Sequence, residues 1–434
     1  LVELSTSQCY TFDMLSYQQM NEIMKEEVAS MRFFRWMYCR TFQIVLRIAL
    51  PFLPYRVPRI VDSCQDLDNV LLSEKIGSVL IVTDEGVRRN GLTWPVEMVL
   101  RKCHIAYGVY DRTRPNPTVD NVEEALAMYK KLGCEGIIAV GGGSSMDCAK
   151  VLGARVAYPN KTIGQMKGIL RVLRRLPVLV AVPTTAGTGS EVTLAAVITE
   201  PEKCHKYALM SFPLIPKYAV LDPALTYSLP PHLTATTGMD ALTHAVEAYI
   251  GRSTTRETRR LALDAVRLIF ANIETAYADG RNERARKNML QAAYMAGIAF
   301  SKSYVGYIHA IAHSLGGQYG VPHGLANAVT MPYVLEAYGD CTDKKLYRLG
   351  VAAGVCSESD GYEAGAKKFI AAIRELNRKM NIPEHIEEIR REDVPVMALH
   401  AQKEANPLYP VPRIMCRKEL AGLYYEIAGG YDEG

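Results

Sequence analysis

Three histidines lie within one fifteen-residue stretch, residues 309–323, which reads HAIAHSLGGQYGVPH. His309 and His313 are four residues apart, so both would lie on one face of a helix. The glycine pair at 316–317 is predicted to break that helix, and the chain then reaches His323. The whole chain has only nine histidines, so this concentration of imidazoles indicates a site.

A second pair with the same spacing lies upstream, in residues 238–249, which read GMDALTHAVEAY and contain Asp240 and His244. Three imidazoles and one carboxylate suit a divalent metal such as Fe(II), Zn(II), Mn(II) or Ni(II). One such pair alone is more often a contact within its own helix. Two pairs and the additional His323 favour a metal site.

Glycine-rich turns after buried strands indicate a nucleotide site. The strand predicted at residues 135–140 is followed by Gly-Gly-Gly-Ser-Ser and then by a helix predicted at Asp147. Gly142, Gly143 and Ser144 would let a phosphate approach the backbone, and the helix N-terminus would direct N–H groups at the anion. A tight turn with Asp147 in the first helical turn is the structural alternative.

Two further strand ends carry polar groups. Asp84 follows the apolar run 78–83, where its carboxylate could accept hydrogen bonds from ribose hydroxyls or could cap the next helix. Residues 183–191 read PTTAGTGSE, whose hydroxyls and glycines suit phosphate and ribose contacts. That composition is also common in ordinary loops.

Five phrases together resemble the iron-containing (group III) alcohol dehydrogenase family. In chain order they are GGGSSMDCAK, PTTAGTGSE, GMDALTHAVEAY, HAIAHSLGG and VPHGLANAV, and the resemblance extends over about residues 82–333. It implies a metal-dependent oxidoreductase that transfers a hydride between NAD(H) and a small alcohol or aldehyde. The metal would lower the pKa of the alcohol hydroxyl.

The resemblance assigns the metal, Fe(II) or alternatively Zn(II) or another divalent ion, to Asp240, His244, His309 and His323. It places His313 in the pocket as the catalytic residue that relays the alcohol proton. Spacing alone leaves open the reverse assignment, with His313 as the ligand and His309 as the relay.

On the cofactor side, the predicted NAD(H)-binding residues are Asp84, Asn116, Gly142, Gly143, Ser144, Thr184, Thr185, Thr188 and Lys206. An aspartate at the position of Asp84 occurs in NAD-preferring members of the family. The assignments of Asn116 and Lys206 rest mainly on the resemblance.

Alternating strand and helix signals up to residue 230, followed by helices alone, predict the fold class. The predicted fold is an α/β N-terminal Rossmann-like nucleotide-binding domain plus an all-α C-terminal metal-binding domain. The family resemblance implies that this is a dehydroquinate synthase-like architecture. The predicted boundaries are 1–56 for an N-terminal extension, 57–230 for the nucleotide domain and 231–434 for the helical domain.

Composition limits the classes of binding partner and the cellular compartment that we expect for the protein. The net charge of +4 is too small to indicate a nucleic-acid partner. Ten cysteines without a CxxC pair predict reduced thiols and a cytoplasmic protein. Residues 31–56 form an arginine-rich segment with interleaved aromatic residues, which suits either peripheral membrane contact or packing on the protein or a partner subunit. The resemblance also implies a homodimer or a larger oligomer.

Two other functions are consistent with parts of the sequence. One is an NAD- and metal-using lyase of the dehydroquinate synthase type, which needs a basic pocket for a phosphate-bearing substrate. Residues 303–332 contain no arginine or lysine, which favours a small uncharged alcohol or aldehyde. The other is a non-catalytic membrane or assembly module, and the intact set of four ligands argues against it.

Overall fold

A computed structural model describes residues 34, 36–45, 47–49, 52–200 and 205–430, with the side chains of residues 205 and 206 left out. The predicted extension 1–56 is therefore described only in part. Its residues 34, 36–45 and 47–49 are helical, and the domain boundaries remain a prediction.

After this N-terminal helical segment, the described residues up to 230 contain the strands and five α-helices. The strands are β1 (Arg59–Val61), β2 (Ser78–Val82), β3 (Ala106–Tyr110), β4 (Gly136–Gly141), β5 (Gly168–Ile169), β6 (Val178–Pro183), β7 (Ala195–Glu200), β8 (His205–Met210) and β9 (Tyr218–Val220). The helices are α1 (Leu67–Ser73), α2 (Glu85–Arg89), α3 (Trp94–Lys102), α4 (Val119–Lys131) and α5 (Gly143–Ala157).

Six strands form one parallel sheet in the order β1-β9-β6-β4-β2-β3. Both faces of this sheet are covered, so its central strands are apolar on both sides. In β2, Leu80 and Val82 enter the core that contains α4 and α5, while Val79 and Ile81 enter the core that contains α1 and α3. The predicted α/β fold of the first half is thus confirmed.

The order of the strands reverses between β2 and β4, because β3 pairs with one edge of β2 and β4 with the other. In parallel sheets, ligands bind beyond the carboxyl ends of the strands at such a reversal. A separate three-stranded sheet, β5-β8-β7, lies outside the main sheet and was not predicted.

The second half is helical, as predicted, and its residues 231–430 form no strand. The helices are α6 (Pro231–Ile250), α7 (Arg256–Ala278), α8 (Glu283–Ser303), α9 (Tyr307–Tyr319), α10 (His323–Tyr338), α11 (Asp340–Ala352), α12 (Tyr362–Lys379), α13 (Val394–Ala405) and α14 (Arg417–Ile427). Residues 238–250 of α6 are all buried, and α6 packs against α7, α8 and α10. It is the central helix of this half.

Two predicted helix boundaries are wrong. Gly316 and Gly317 do not end the helix that carries His309, because α9 continues to Tyr319 and ends at Gly320, which has φ +72°. Gly320 ends the helix because it adopts the left-handed conformation, which Gly316 and Gly317 do not. Likewise, the helix expected at Asp147 begins at Gly143, which brings Ser144 into its first turn.

Candidate active site

Four side chains from three helices converge at one point. Asp240 and His244 come from α6, His309 comes from α9, and His323 is the first residue of α10. One ligand atom from each lies within 4.8 Å of the others. All are buried except His323, which is partly exposed. This set is the one predicted from the sequence, and such a group can hold a divalent metal.

The side chain of Asn327, one turn after His323 in α10, indicates where the lone pairs of this group point. Its Nδ2 donates to Asp240 Oδ1 over 2.7 Å and lies 3.3 Å from His309 Nε2 and 3.1 Å from His323 Nε2. The side-chain amide nitrogen of Asn327 is thus close to one acceptor atom from each of three helices. This arrangement of acceptor atoms also suits a cation.

The two buried imidazoles are in the form that binds metals. Burial lowers the pKa of His244, and burial followed by the neighbouring His244, His323 and His313 lowers that of His309 far below the usual value. Both are therefore neutral near pH 7, with lone pairs available. His244 Nδ1 is also a buried atom without a hydrogen-bond partner among the described residues. The donor set fits a metal ion.

Glu247 fixes the orientation of His309. Its Oε2 lies 2.6 Å from His309 Nδ1 and accepts the Gly306 amide over 2.8 Å, while Oε1 accepts the Ile308 amide over 2.8 Å. A carboxylate on one ring nitrogen leaves the other, Nε2, free to ligate. Burial raises the pKa of Glu247, and the hydrogen bonds from the Gly306 and Ile308 amides oppose that rise by favouring the carboxylate.

His313 lies beside the ligands and is not one of the converging group. Its ring stacks on His323 at a centroid distance of 5.2 Å. Its Nδ1 lies 2.6 Å from Glu404 Oε1, which also accepts the Tyr409 hydroxyl over 2.8 Å. Burial opposes ionisation of Glu404, but the charge of His313 and the bonds from both partners outweigh burial and lower the pKa.

Sequence reasoning missed Glu247, Asn327 and Glu404. The first two could have been found, because Glu247 is three residues after His244 and Asn327 is four after His323, both helical spacings. Glu404 gave no such signal, since it is 91 residues from His313.

Seven of the nine predicted cofactor residues, all except Asn116 and Lys206, lie at or just beyond the carboxyl ends of three adjacent strands. Asp84 follows β2, Gly142, Gly143 and Ser144 follow β4, and Thr184 follows β6. A Cβ on Gly142 would lie 3.4 Å from Thr185 Oγ1, and one on Gly143 would lie 3.0 Å from Thr188 Cγ2. The turn at residues 141–145 (the glycine turn) and the loop at residues 183–191 (the threonine loop) are therefore in contact, and a side chain at position 143 would be tight against Thr188.

Asp84 is the N-cap of α2, since its Oδ1 accepts the Val87 amide over 2.9 Å. The other oxygen, Oδ2, accepts the Ser145 hydroxyl over 3.3 Å, next to the glycine turn. This position is compatible with both predicted roles of Asp84, as a cap for the helix and as an acceptor for ribose hydroxyls. Asn116, at φ +55°, donates its amide to Ser144 Oγ over 3.3 Å and so reaches the same turn. Lys206 lies in β8, and its side chain is outside the described set.

A buried lysine holds the threonine loop in place. Lys150 Nζ in α5 donates to the Ser190 and Thr193 hydroxyls over 2.9 Å, and also to the carbonyls of Thr193 and Ala195. Burial lowers its pKa to about 8. This network joins the end of the loop that carries Thr184 to the helix that starts at the glycine turn.

Comparison with known proteins agrees with this geometry. Residues 58–223 match the family described as iron-containing alcohol dehydrogenase, and residues 234–428 match the C-terminal part of the same family. The chain belongs to the iron-containing alcohol dehydrogenase family. The boundary between the two matches lies near the start of α6. The family resemblance therefore covers both the α/β half and the helical half of the chain.

Individual relatives cover most of the chain. The chain is 39% identical over 330 residues to alcohol dehydrogenase 4 of Saccharomyces cerevisiae, covering 75% of this chain and 85% of that one. It is 39% identical over 349 residues to 1,3-propanediol dehydrogenase of Klebsiella pneumoniae, covering 80% and 90%. A crystal structure of a 1,3-propanediol oxidoreductase superposes with a TM-score of 0.83 at 36% identity, covering 86% and 99%. The protein is an NAD-dependent, metal-type alcohol oxidoreductase.

Proposed function

We propose that the chain interconverts a small uncharged alcohol and its aldehyde with NAD(H), using Fe(II), or Zn(II) in its place, bound by Asp240, His244, His309 and His323. The observation that carries the proposal is the convergence of these four ligand atoms within 4.8 Å of one another. The cofactor would bind at the ends of β2, β4 and β6.

The bound metal would supply a Lewis acid for the substrate oxygen, and the nicotinamide would accept or donate the hydride. His313, whose side chain is 41% exposed, receives the proton of the alcohol hydroxyl and releases it to water. Glu404 holds the ring with Nε2 directed away from the carboxylate and stabilises the imidazolium. The glycine turn and the threonine loop bind the phosphates through backbone N–H groups and hydroxyls.

Replacing Glu404 with glutamine should lower kcat by roughly 10- to 100-fold, because His313 loses the carboxylate that stabilises its protonated form. Metal content should stay at the wild-type level, since the hydrogen bonds of Glu404 within the described part of the chain are to His313 and Tyr409 and not to the four ligands. Stopped-flow NADH absorbance and metal analysis measure the two quantities. The matched control is Glu426→Gln, an exposed position in α14. Loss of metal together with activity would show that Glu404 acts on the metal site instead.

Replacing Asp84 with serine should raise the preference for NADPH over NADH by about tenfold or more, because a carboxylate there repels a 2′-phosphate. Serine is also a good N-cap, so α2 should keep its first turn. The readout is the ratio of kcat/KM for the two cofactors. Glu85→Ser removes the same charge one residue further on, from an exposed side chain, and should leave the ratio nearly unchanged. An unchanged ratio in Asp84→Ser would assign Asp84 to capping alone.

The proposed reaction is tested by purifying the protein without oxygen, loading Fe(II) or Zn(II), and following NADH oxidation with a panel of short aldehydes. Turnover of uncharged aldehydes supports the proposal and ranks the substrates. Absence of turnover with NADH and with NADPH, despite bound metal and nucleotide, would contradict it. A parallel assay with a phosphate-bearing lyase substrate would then test the dehydroquinate synthase-type reaction.

The proposal extends to assembly and location. We expect a homodimer or larger oligomer in the cytoplasm. The described cysteines are all free thiols, as expected in a reducing compartment. Among the described residues, every helix is too short or too polar to cross a bilayer. Peripheral membrane contact through residues 31–56 belongs to the same proposal.

A further inference from the structure

A cavity of about 390 Å³ lies between the N-terminal helical segment, the loop that joins α6 to α7, and α11, and we call it the basic cavity. Five of the seven residues that line it are cationic: Arg47, Arg252, Arg259, Lys345 and Arg348. The other two are a glycine and a threonine, so none of the seven is acidic. A concave site lined by charges of one sign attracts a ligand of the opposite charge.

The two part-buried cations of the basic cavity, Lys345 and Arg259, are held by neutral oxygen atoms. Lys345 Nζ donates to the Ile250 and Gly251 carbonyls at the end of α6, over 2.6 and 2.8 Å. Arg259 Nη1 donates to the Thr254 hydroxyl over 2.9 Å and to the Thr254 carbonyl over 3.3 Å. These hydrogen bonds fix the positions of both cations but supply no negative charge. The positive charge of the basic cavity is therefore not neutralised by its own lining.

The cations in and around the basic cavity repel one another. Burial, followed by the charges of Arg252 and Arg259, lowers the pKa of Lys345 to about 8. Burial and then the charge of Arg252 lower the pKa of the neighbouring Arg40 to about 10. Arg40 is buried, and its hydrogen bonds within the described part of the chain go to Gln43 and to two backbone carbonyls, which are all neutral. The fold thus holds these like charges together at a free-energy cost that a bound anion would offset.

Two exposed arginines of the basic cavity are available to a ligand. Arg252 and Arg348 are exposed and are not joined to a carboxylate by any ion pair recorded for the described part of the chain. The planar guanidinium group donates two parallel hydrogen bonds to a carboxylate or a phosphate. Because a phosphate group carries close to two negative charges at neutral pH, it offsets more of the positive charge than a carboxylate does. The lining therefore suits a phosphate best.

A larger cavity of about 820 Å³ continues from the basic cavity between α7 and α11, since Arg259 and Arg348 line both, and we call it the adjoining groove. The large apolar and aromatic side chains in its lining are Tyr249, Leu263, Tyr347 and Val351. Its two acidic residues are Glu358 and Asp264, and Asp264 forms ion pairs with two other arginines of α7. An organic group attached to a phosphate in the basic cavity would contact this partly apolar surface.

We propose that the basic cavity binds the phosphate group of a small phosphorylated metabolite, whose organic part lies in the adjoining groove. This site shares no residue with the four metal ligands or with the predicted cofactor residues. It is therefore a second ligand site, in addition to the site of the proposed reaction. Two features carry the inference: the cluster of cations without acidic partners, and the apolar surface that continues from it.

A second copy of the chain fits the basic cavity less well than a small anion does. A symmetric dimer places the same patch on both sides of the interface. Two sets of five cations would then approach each other, with no carboxylate in either cavity lining to neutralise them. A small phosphorylated molecule supplies the compensating charge and fits a concave site.

The test is calorimetric titration of the full-length, metal-loaded protein with inorganic phosphate, phenyl phosphate and benzoate. NAD⁺ is present at saturation, so that phosphate groups already occupy the glycine turn and the threonine loop. Phenyl phosphate should bind at about one site per chain and about tenfold more tightly than inorganic phosphate, because its ring would cover apolar surface in the adjoining groove. Benzoate has the ring but only one negative charge, and it should bind at least about tenfold more weakly than phenyl phosphate.

Removal of two cations should weaken this binding. Arg252→Gln/Arg348→Gln should lose at least about tenfold of the affinity for phenyl phosphate, because two charged hydrogen-bond donors are lost. Both side chains are exposed, so the variant should keep the wild-type melting temperature, affinity for NAD⁺ and rate of NADH oxidation. The matched control, Arg281→Gln/Arg284→Gln, removes two exposed arginines at the start of α8. It should bind phenyl phosphate like wild type.

Three results would overturn the proposal. The first is that wild type does not bind phenyl phosphate, or binds it no more tightly than benzoate. The second is that the two double variants lose the same affinity, which would mean that net charge and not the basic cavity attracts the anion. The third is that Arg252→Gln/Arg348→Gln loses affinity for NAD⁺, which would assign the basic cavity to the dinucleotide. None of these measurements requires turnover, so this proposal and the proposed reaction fail separately.

Discussion

Replacing His309 with alanine should remove the bound metal and reduce turnover by at least about a thousandfold. His309 is 2% exposed and lies at the centre of the group, with ring centroids of His244 at 4.6 Å and of His323 at 5.4 Å. Its loss leaves Glu247 as a buried carboxylate without its imidazole partner. The Lewis acid contributes several kcal/mol to the transition state, and about 4 kcal/mol corresponds to a factor of a thousand.

Two measurements check this expectation: metal per chain by elemental analysis, and NADH oxidation with the best aldehyde of the panel. His400→Ala is the control, because His400 is exposed in α13 and outside every predicted motif. A melting curve establishes that His309→Ala is folded. Wild-type turnover by a folded, metal-free His309→Ala protein would exclude a catalytic metal at this place.

Replacing Glu247 with glutamine should weaken metal binding by about 10- to 100-fold, the usual effect of losing a carboxylate behind a histidine ligand. Glu247 accepts three hydrogen bonds, from the Gly306 and Ile308 amides and from His309. A glutamine amide would direct its own N–H groups at one or more of these donors. The free energy of unfolding should therefore also fall, by about 1–3 kcal/mol for a buried group left unsatisfied.

Competition with a metal-chelating dye gives the dissociation constant, and urea unfolding of the metal-free protein gives the stability. The control is Glu274→Gln, which removes a surface carboxylate paired with Lys379 and should change neither quantity much. If Glu247→Gln lowered the stability of the metal-free protein but bound metal as tightly as wild type, Glu247 would hold the α9 backbone without orienting His309.

Much of the fold was predictable because the main sheet is buried on both faces. The strands β2, β4 and β6 are continuous apolar runs in the sequence, and a polar turn follows each of them. The sheet β5-β8-β7 gave no comparable signal, because β5 has two residues and β8 begins with the polar residues His205 and Lys206. Pairing across the chain, rather than local pattern, produces these strands.

The metal group was predictable because each helix carries its ligands at helical spacing or at its start. The end of the helix that carries His313 was not predictable, since two glycines in a row usually signal a break. Here Leu315 is fully buried, and the Tyr319 hydroxyl donates to Asp393 over 2.7 Å. These contacts offset the roughly 1 kcal/mol that each helical glycine costs relative to alanine.

The partner of His313 could not be predicted at all. Glu404 approaches it only because α13 packs against α9, which is a tertiary contact between segments far apart in the chain. The same is true of Lys150, whose four acceptors become neighbours only when the threonine loop folds over α5. Local spacing thus indicated the candidate ligands, and the family resemblance chose His309 over His313 among them. The groups that position His313 and the loop required the structure.

The most direct test of the central claim is a metal titration of the protein after the metal has been removed by chelation without oxygen. Fe(II) or Zn(II) is added in steps while NADH oxidation by a short aldehyde is followed, and bound metal is measured in parallel. Turnover should be absent at the start, rise in proportion to bound metal, and level off at about one ion per chain, as one group of four ligands requires. Full turnover by the metal-free protein, or metal that binds without restoring turnover, would contradict the assignment.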